Sequence, residues 1–271
     1  MKKMNLLVLV LCMMPLGLAA EDAKQGVAQD QAIVTPPVDA QEKAADTQFF
    51  SMRLDVDYTS VNMKQANDSM NAAYNINKFG SAIIGTLDMG FVVNSFLTAG
   101  PKAGYLYCFP ASYERNYAGP LNFKTVMDAS LIPLEAGATL KFNLADTSVS
   151  ISTGAYAGVG LAHVANSVDV TNAASQKVSY VQPFDGFGFC GELNAAIELK
   201  LSKGIDFNIN GGYRLANIDY VTQSKDVHYT FDGITTTQIG SKGLALRDAG
   251  NTNVPFDFSG LNIGVGISMG F

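Results

Sequence analysis

From Phe49 onward, apolar and polar residues alternate with a period of two. In FSMRLDVDY, Phe50, Met52, Leu54, Val56 and Tyr58 share one parity, and Ser51, Arg53, Asp55 and Asp57 the other. Successive side chains of a strand point to opposite faces, so the run predicts a strand with one apolar and one charged face. The last run sets Leu261, Ile263, Val265, Ile267, Met269 and Phe271 against Asn262, Gly264, Gly266, Ser268 and Gly270. Six further runs lie near 81–93, 97–107, 130–143, 149–162, 187–201 and 205–218. The pattern is all-β.

Connection lengths distinguish two architectures that share this alternation. A soluble two-sheet sandwich has strands of the same kind. Here the connections are short at Asn94–Phe96, Leu144–Ser148 and Ser202–Gly204, and long at 61–80, 108–129, 163–186 and 219–255. Short turns on one rim and long loops on the other mark a membrane barrel with an even strand number. The runs reach the roughly 9–11 residues a tilted strand needs to cross a bilayer. No long apolar helix is legible after the first twenty residues, so a membrane-embedded chain satisfies its backbone only as a closed barrel. The expectation is an eight-stranded antiparallel up-and-down transmembrane β-barrel over 49–271. Ten strands is the alternative, because VHYTF and ITTTQIG in the last loop are strand-like; a projecting hairpin is the other way to place them.

The first 48 residues read differently. Lys2 and Lys3, an apolar stretch from Leu6 to Met14, and small residues at Gly17, Ala19 and Ala20 give the layout of a secretory signal peptide over 1–20. Pro15 interrupts the stretch well short of the roughly 20 residues of a spanning helix. Cys12 follows Leu11, where a lipoprotein signal wants a small residue. Residues 21–48 hold six acids, two lysines and no aromatic, and are expected to be a disordered periplasmic segment. Composition then sharpens the picture. The chain is 48% hydrophobic and only 15% charged, against about 25% charged in soluble domains. With a net charge of −6 it has no basic stripe for phosphates, so nucleic acid is excluded as a partner.

The terminal run ending Gly270–Phe271, apolar at every second position back to Leu261, resembles the assembly signal of bacterial outer-membrane barrels. The segment 49–271 resembles the small eight-stranded class of OmpA, OmpX and opacity-protein type. That resemblance implies a Gram-negative-type outer membrane, both termini periplasmic, outer-membrane lipid and the barrel-assembly machinery as partners, and Phe271 as assembly signal. The chain departs from the class in having no Trp; Tyr58, Tyr105, Tyr107, Tyr213, Phe142 and Phe207 are the candidates for its aromatic girdles.

Eight strands enclose a space just wide enough for side chains. Inward parity puts Arg53, Lys102, Lys141, Lys200 and Arg214 there with Asp55, Asp57, Asp88, Glu135, Glu192, Glu198 and Asp206. Charges in so narrow a space must pair, which predicts a salt-bridged plug, with Asp55 and Asp57 as partners of Arg53 and Arg214. Inward glycines, Gly154, Gly158, Gly264 and Gly266 among them, make room for Arg53, Arg214 and Tyr156. A narrow pore that favours cations is the alternative.

Other constellations are weak. Asp226-Val-His228 in the longest loop and Asp55-Val-Asp57 bring to mind the acid–histidine pairs of omptin proteases, but the surroundings do not match. The His-x-Ser pair of outer-membrane lipid A deacylases is absent, since His228 is followed two places on by Thr230 and His163 by Ala165. Two histidines and unclustered cysteines make no metal set, so no cofactor or metal is expected. Cys108 and Cys190 fall on inward parity near the loop rim, on runs that are not neighbours, and read as two free thiols. The four long loops, raised on a rigid scaffold, are the place for a surface ligand. The chain therefore reads as a structural or surface-interaction scaffold with a largely plugged lumen and not as an enzyme, with the narrow pore as alternative and an outer-membrane hydrolase as minor alternative.

Overall fold

A computed structural model describes residues 49–70, 74–116, 122–145, 147–171, 176–231, 235–248 and 250–271. The expected signal peptide and the 21–48 segment lie outside them. The elements in chain order are β1 (Phe50–Ser60), α1 (Lys64–Asp68), β2 (Tyr74–Asn77), β3 (Ser81–Asn94), β4 (Leu97–Cys108), β5 (Ala111–Asn116), β6 (Asn122–Asn143) and β7 (Val149–Thr171). There follow β8 (Lys177–Ser202), β9 (Ile205–Ile218), β10 (Thr222–Gln223), β11 (Val227–Phe231), β12 (Thr235–Gly240), β13 (Phe256–Asp257) and β14 (Gly260–Gly270).

Eight strands close a ring. β1 pairs with β3, then β4, β6, β7, β8, β9 and β14 follow in turn, and β14 pairs back with β1, every contact antiparallel. This is the eight-stranded up-and-down barrel, and closure removes the sheet edges that would otherwise expose unpaired backbone. The ten-stranded alternative is excluded: β11 and β12 pair with each other as a separate two-stranded sheet. Three connections are short, and the one at Lys203–Gly204 turns on Gly204 at φ +75°, a left-handed conformation that suits a tight hairpin. Those turns and both ends of the described chain define one rim. The long connections define the other.

Three strands run further toward the loop rim than expected. β6 begins at Asn122 instead of 130, β7 continues to Thr171 instead of 162, and β8 begins at Lys177 instead of 187. Much of two expected loops is therefore hydrogen-bonded sheet. The period of two does not stop at the earlier limits; its sense inverts. From Ile151 to Leu161 the large outward residues of β7 are apolar, whereas beyond it the outward positions are His163, Ser167 and Asp169, and the inward Ala162, Val164, Val168 and Val170 are buried. The same inversion places Phe184 inside and Asp185 outside on β8.

Below the inversion the exterior is an apolar belt. Leu193, Leu261 and Ile263 are each about two-thirds exposed (66%, 67% and 64%), which only a non-aqueous surrounding makes favourable. Phe91, Phe96, Phe142 and Phe271 are exposed toward the short-turn rim, and Tyr58, Tyr105, Tyr107 and Tyr213 toward the loops. Phenylalanine and tyrosine thus do the work of the missing tryptophan, although Phe207 is only half-buried. No helix among the described residues is long and apolar enough to cross a membrane.

Candidate functional site

The barrel interior is built from the inward parity of each ring strand, and it has a charged lower part and an apolar upper part. Toward the short-turn rim, the Arg53 guanidinium donates from Nε to Asp55 (2.8 Å) and from Nη2 to Asn208 Oδ1 (3.1 Å). Lys141 joins Glu198 and Asp206, each at 2.6 Å, and the Ser152 hydroxyl donates to Glu198 at 2.7 Å. Further up, Glu192 is held from two sides, by Lys102 Nζ at 2.6 Å and Arg214 Nη2 at 2.7 Å. Lys102 also lies 4.9 Å from the Tyr156 ring centroid. The Tyr156 hydroxyl donates to Asp88 and meets Thr139 Oγ1 at 2.6 Å.

Three expected roles differ from this geometry. Asp57 does not pair with Arg214: register sets Arg214 directly opposite Glu192, which captures it. Asp57 instead receives a long bond from Asn262 Nδ2 (3.4 Å), and its Oδ1 is buried without a protein partner. Lys200 is not part of the interior network. It is exposed at the last positions before the short turn, and its cross-strand neighbour Asp206 is taken by Lys141. Glu135 finds no cation; the Cys190 thiol donates to it at 3.2 Å, and its Oε2 is buried without a partner. The remaining charges are four cations (Arg53, Lys102, Lys141, Arg214) and seven carboxylates (Asp55, Asp57, Asp88, Glu135, Glu192, Glu198, Asp206), so the interior keeps an acidic excess.

Glycines make room for Tyr156 as expected, but for carboxylates in place of Arg53 and Arg214. A Cβ on Gly264 would stand 1.9 Å from Asp57 Oδ1, and one on Gly266 1.9 Å from Asp55 Oδ1. Gly137 and Gly154 lie against Tyr156. The glycines thus make room for the carboxylates and the phenol, not for Arg53 or Arg214.

Above the charges lies an apolar cap that inward parity alone did not reveal. Ile84, Leu106, Cys108, Leu131, Val164, Phe184, Cys190 and Ile218 from the ring strands form one buried cluster with Ala111 of β5 and residues of two other connections. The 61–80 connection contributes Val61, Met63, Ala66, Met70 and Phe79, and the last connection Val221, Val254, Phe256 and Phe258. A usable sequence signal existed in the apolar spacing of VNMKQANDSM and the phenylalanines of VPFDF. Both cysteines are buried and free.

The other candidate chemistry does not assemble. Asp226 accepts the backbone N–H of Lys242 at 2.7 Å, while His228 sits on β11 opposite Gln238. Among the described residues no cluster of three or more His, Cys, Asp or Glu is placed to hold a metal. Phe271 closes the ring, its N–H donating to Phe50 O (2.9 Å) and its carbonyl accepting from Phe49 N (2.9 Å).

No family model matches the chain, and no curated protein matches it. Among solved structures it is similar to Neisserial surface protein A, at 11% identity over 82% of this chain and 97% of that one, TM-score 0.32. It is also similar to Ail, the attachment invasion locus protein of Yersinia pestis (9% identity, 83% and 100% coverage, TM-score 0.32). A third likeness is to the outer membrane protein OprG of Pseudomonas aeruginosa (11% identity, 83% and 96% coverage, TM-score 0.39). These are small outer-membrane barrels, the class the sequence resembles; the barrel assignment itself rests on the closed ring of strand pairings.

Proposed function

We propose that the chain is an outer-membrane barrel that acts as a structural or surface-interaction scaffold with a closed lumen. The observation that carries this reading is the inversion along β6, β7 and β8. Below it the barrel is apolar outside and charged inside, as lipid demands; above it the same sheet is polar outside and apolar inside, as water demands. The closed lumen is supported by the apolar cap stacked on the Glu192 and Glu198 ion pairs. The acidic excess favours the alternative, a narrow cation path, but an ion on that path would have to cross the cap without polar ligands, at a cost of several kcal/mol. The surface role is assigned to the sheet and hairpin beyond the belt, which the barrel does not need for closure. The test is to reconstitute the purified protein in planar bilayers. The expected result is insertion that requires detergent or lipid, with no stable conductance steps. Dispersal in plain buffer would overturn the membrane reading, and large stable steps would overturn the closed lumen.

A further inference from the structure

One row of outward side chains crosses four ring strands at the loop-side edge of the apolar belt. Register sets Tyr107 of β4 opposite Ser130 of β6, Ser130 opposite His163 of β7, and His163 opposite Asp185 of β8. The His163 Nδ1–H donates to Asp185 Oδ1 at 2.6 Å, and both side chains are more than half exposed. Nε2 is thereby left as the basic nitrogen of the ring. The Ser130 hydroxyl donates to the backbone carbonyl of His163 at 3.5 Å. Directly opposite residues hold their Cβ atoms about 4.5–5.5 Å apart, so rotation of the two side chains suffices for a serine–imidazole contact. One step toward the short-turn rim, Ile132, Leu161 and Phe187 are exposed and apolar. Two residues toward the loops from Ser130 lies Asp128, which accepts the Tyr107 hydroxyl at 3.0 Å.

We propose that Ser130, His163 and Asp185 form a nucleophile, base and orienting carboxylate that cleave acyl esters of membrane lipids, an activity beyond the scaffold reading. A polar boundary ring needs polar residues in any order. Here the imidazole stands in the middle, bound through Nδ1 to the carboxylate on one side and flanked by the hydroxyl on the other, which is the order acyl transfer requires. The acyl chain lies along Ile132, Leu161 and Phe187, which brings its ester to the level of the row. Ser130 is 9% exposed, so the ester reaches it by parting the flanking Tyr107 and His163 side chains.

In the first half-reaction Nε2 takes the Ser130 proton as Oγ attacks the ester carbonyl carbon. The bond from that carbon to the leaving alkoxide breaks, and Nε2 returns the proton to the departing alcohol. Water, deprotonated by the same nitrogen, then cleaves the seryl ester, releasing a fatty acid and restoring Ser130. Asp185 holds the tautomer and faces the imidazolium that forms in each half. The Tyr107 hydroxyl, on the far side of Ser130, turns from Asp128 to donate to the developing oxyanion.

The test uses the full chain folded in detergent micelles and in phosphatidylcholine vesicles. A fluorophosphonate probe is expected to label Ser130, mapped by peptide mass, and fatty acid is expected to be released from the vesicles. S130A removes the label, and S130A and H163A each lower release by about 10³-fold or more, with the strand circular-dichroism signal unchanged. An unlabelled Ser130, or release no greater than that of S130A, overturns the proposal. The label is read on the unsubstituted protein, so it decides the matter even where a variant fails to fold.

Discussion

Glu192 is the residue on which the interior balance depends. Its two oxygens answer Lys102 and Arg214, whose side chains are 3% and 0% exposed. Removing the carboxylate leaves two buried cations without their direct ion-pair partner, a change that costs about 3–5 kcal/mol. Glu192→Gln is therefore expected to lower the unfolding free energy in a urea titration by that amount. Asp68→Asn, which breaks the exposed Lys64–Asp68 pair, is expected to change it by less than about 0.5 kcal/mol. At this scale the parity of the sequence placed most of the charges inside, but it did not say which would meet. Arg214 chose Glu192 over Asp57 because register put Glu192 opposite it. Lys200 shares the parity of Glu198 and yet reaches water, because it sits beside a turn.

At the scale of the element, β7 shows one strand obeying two solvents. Its large outward residues are aliphatic up to Leu161, and His163, Ser167 and Asp169 follow on the same parity, with buried Val164, Val168 and Val170 on the inside. A charge on the outside is therefore tolerated above the boundary and penalised below it. Leu193→Arg, on the exposed belt of β8, is expected to cost about 2–4 kcal/mol in lipid. Ser167→Arg on the extension is expected to leave stability unchanged within about 0.5 kcal/mol. Equal effects at the two positions, read by the same titration, would mean that the belt ends elsewhere. The existence and order of the eight ring strands were legible in the alternation. The extensions were not, because a search for apolar outward faces stops where the apolar residues turn inward.

For the whole molecule, closure of the ring and the proposed sealing of its lumen rest on different residues. The ring is complete without the loops, whereas the cap is built by joining loop residues such as Met63, Phe79, Val221 and Phe256 to strand residues. If the lumen is closed as proposed, the ion pairs and the cap are two seals in series, so opening one leaves the other. Exchanging both Glu192 and Arg214 for alanine is expected to leave planar-bilayer conductance near the background. Conductance steps are expected only when residues 62–79 are also deleted. Steps from the double alanine variant alone would show that the cap does not close the mouth.

Local chemistry written in the order of residues determined the strand period, the short and long rims and the acidic interior of this protein, and left eight or ten ring strands open. Each depends on neighbours two residues apart or on the length of a connection, and a single chain displays both. Tertiary structure alone decided the partner of each buried charge, the folding of two loops into the mouth, and the row that brings Ser130, His163 and Asp185 side by side from three strands. Those meetings are set by the register between neighbouring strands and by how far each side chain reaches across the interior, neither of which the parity of a single strand displays.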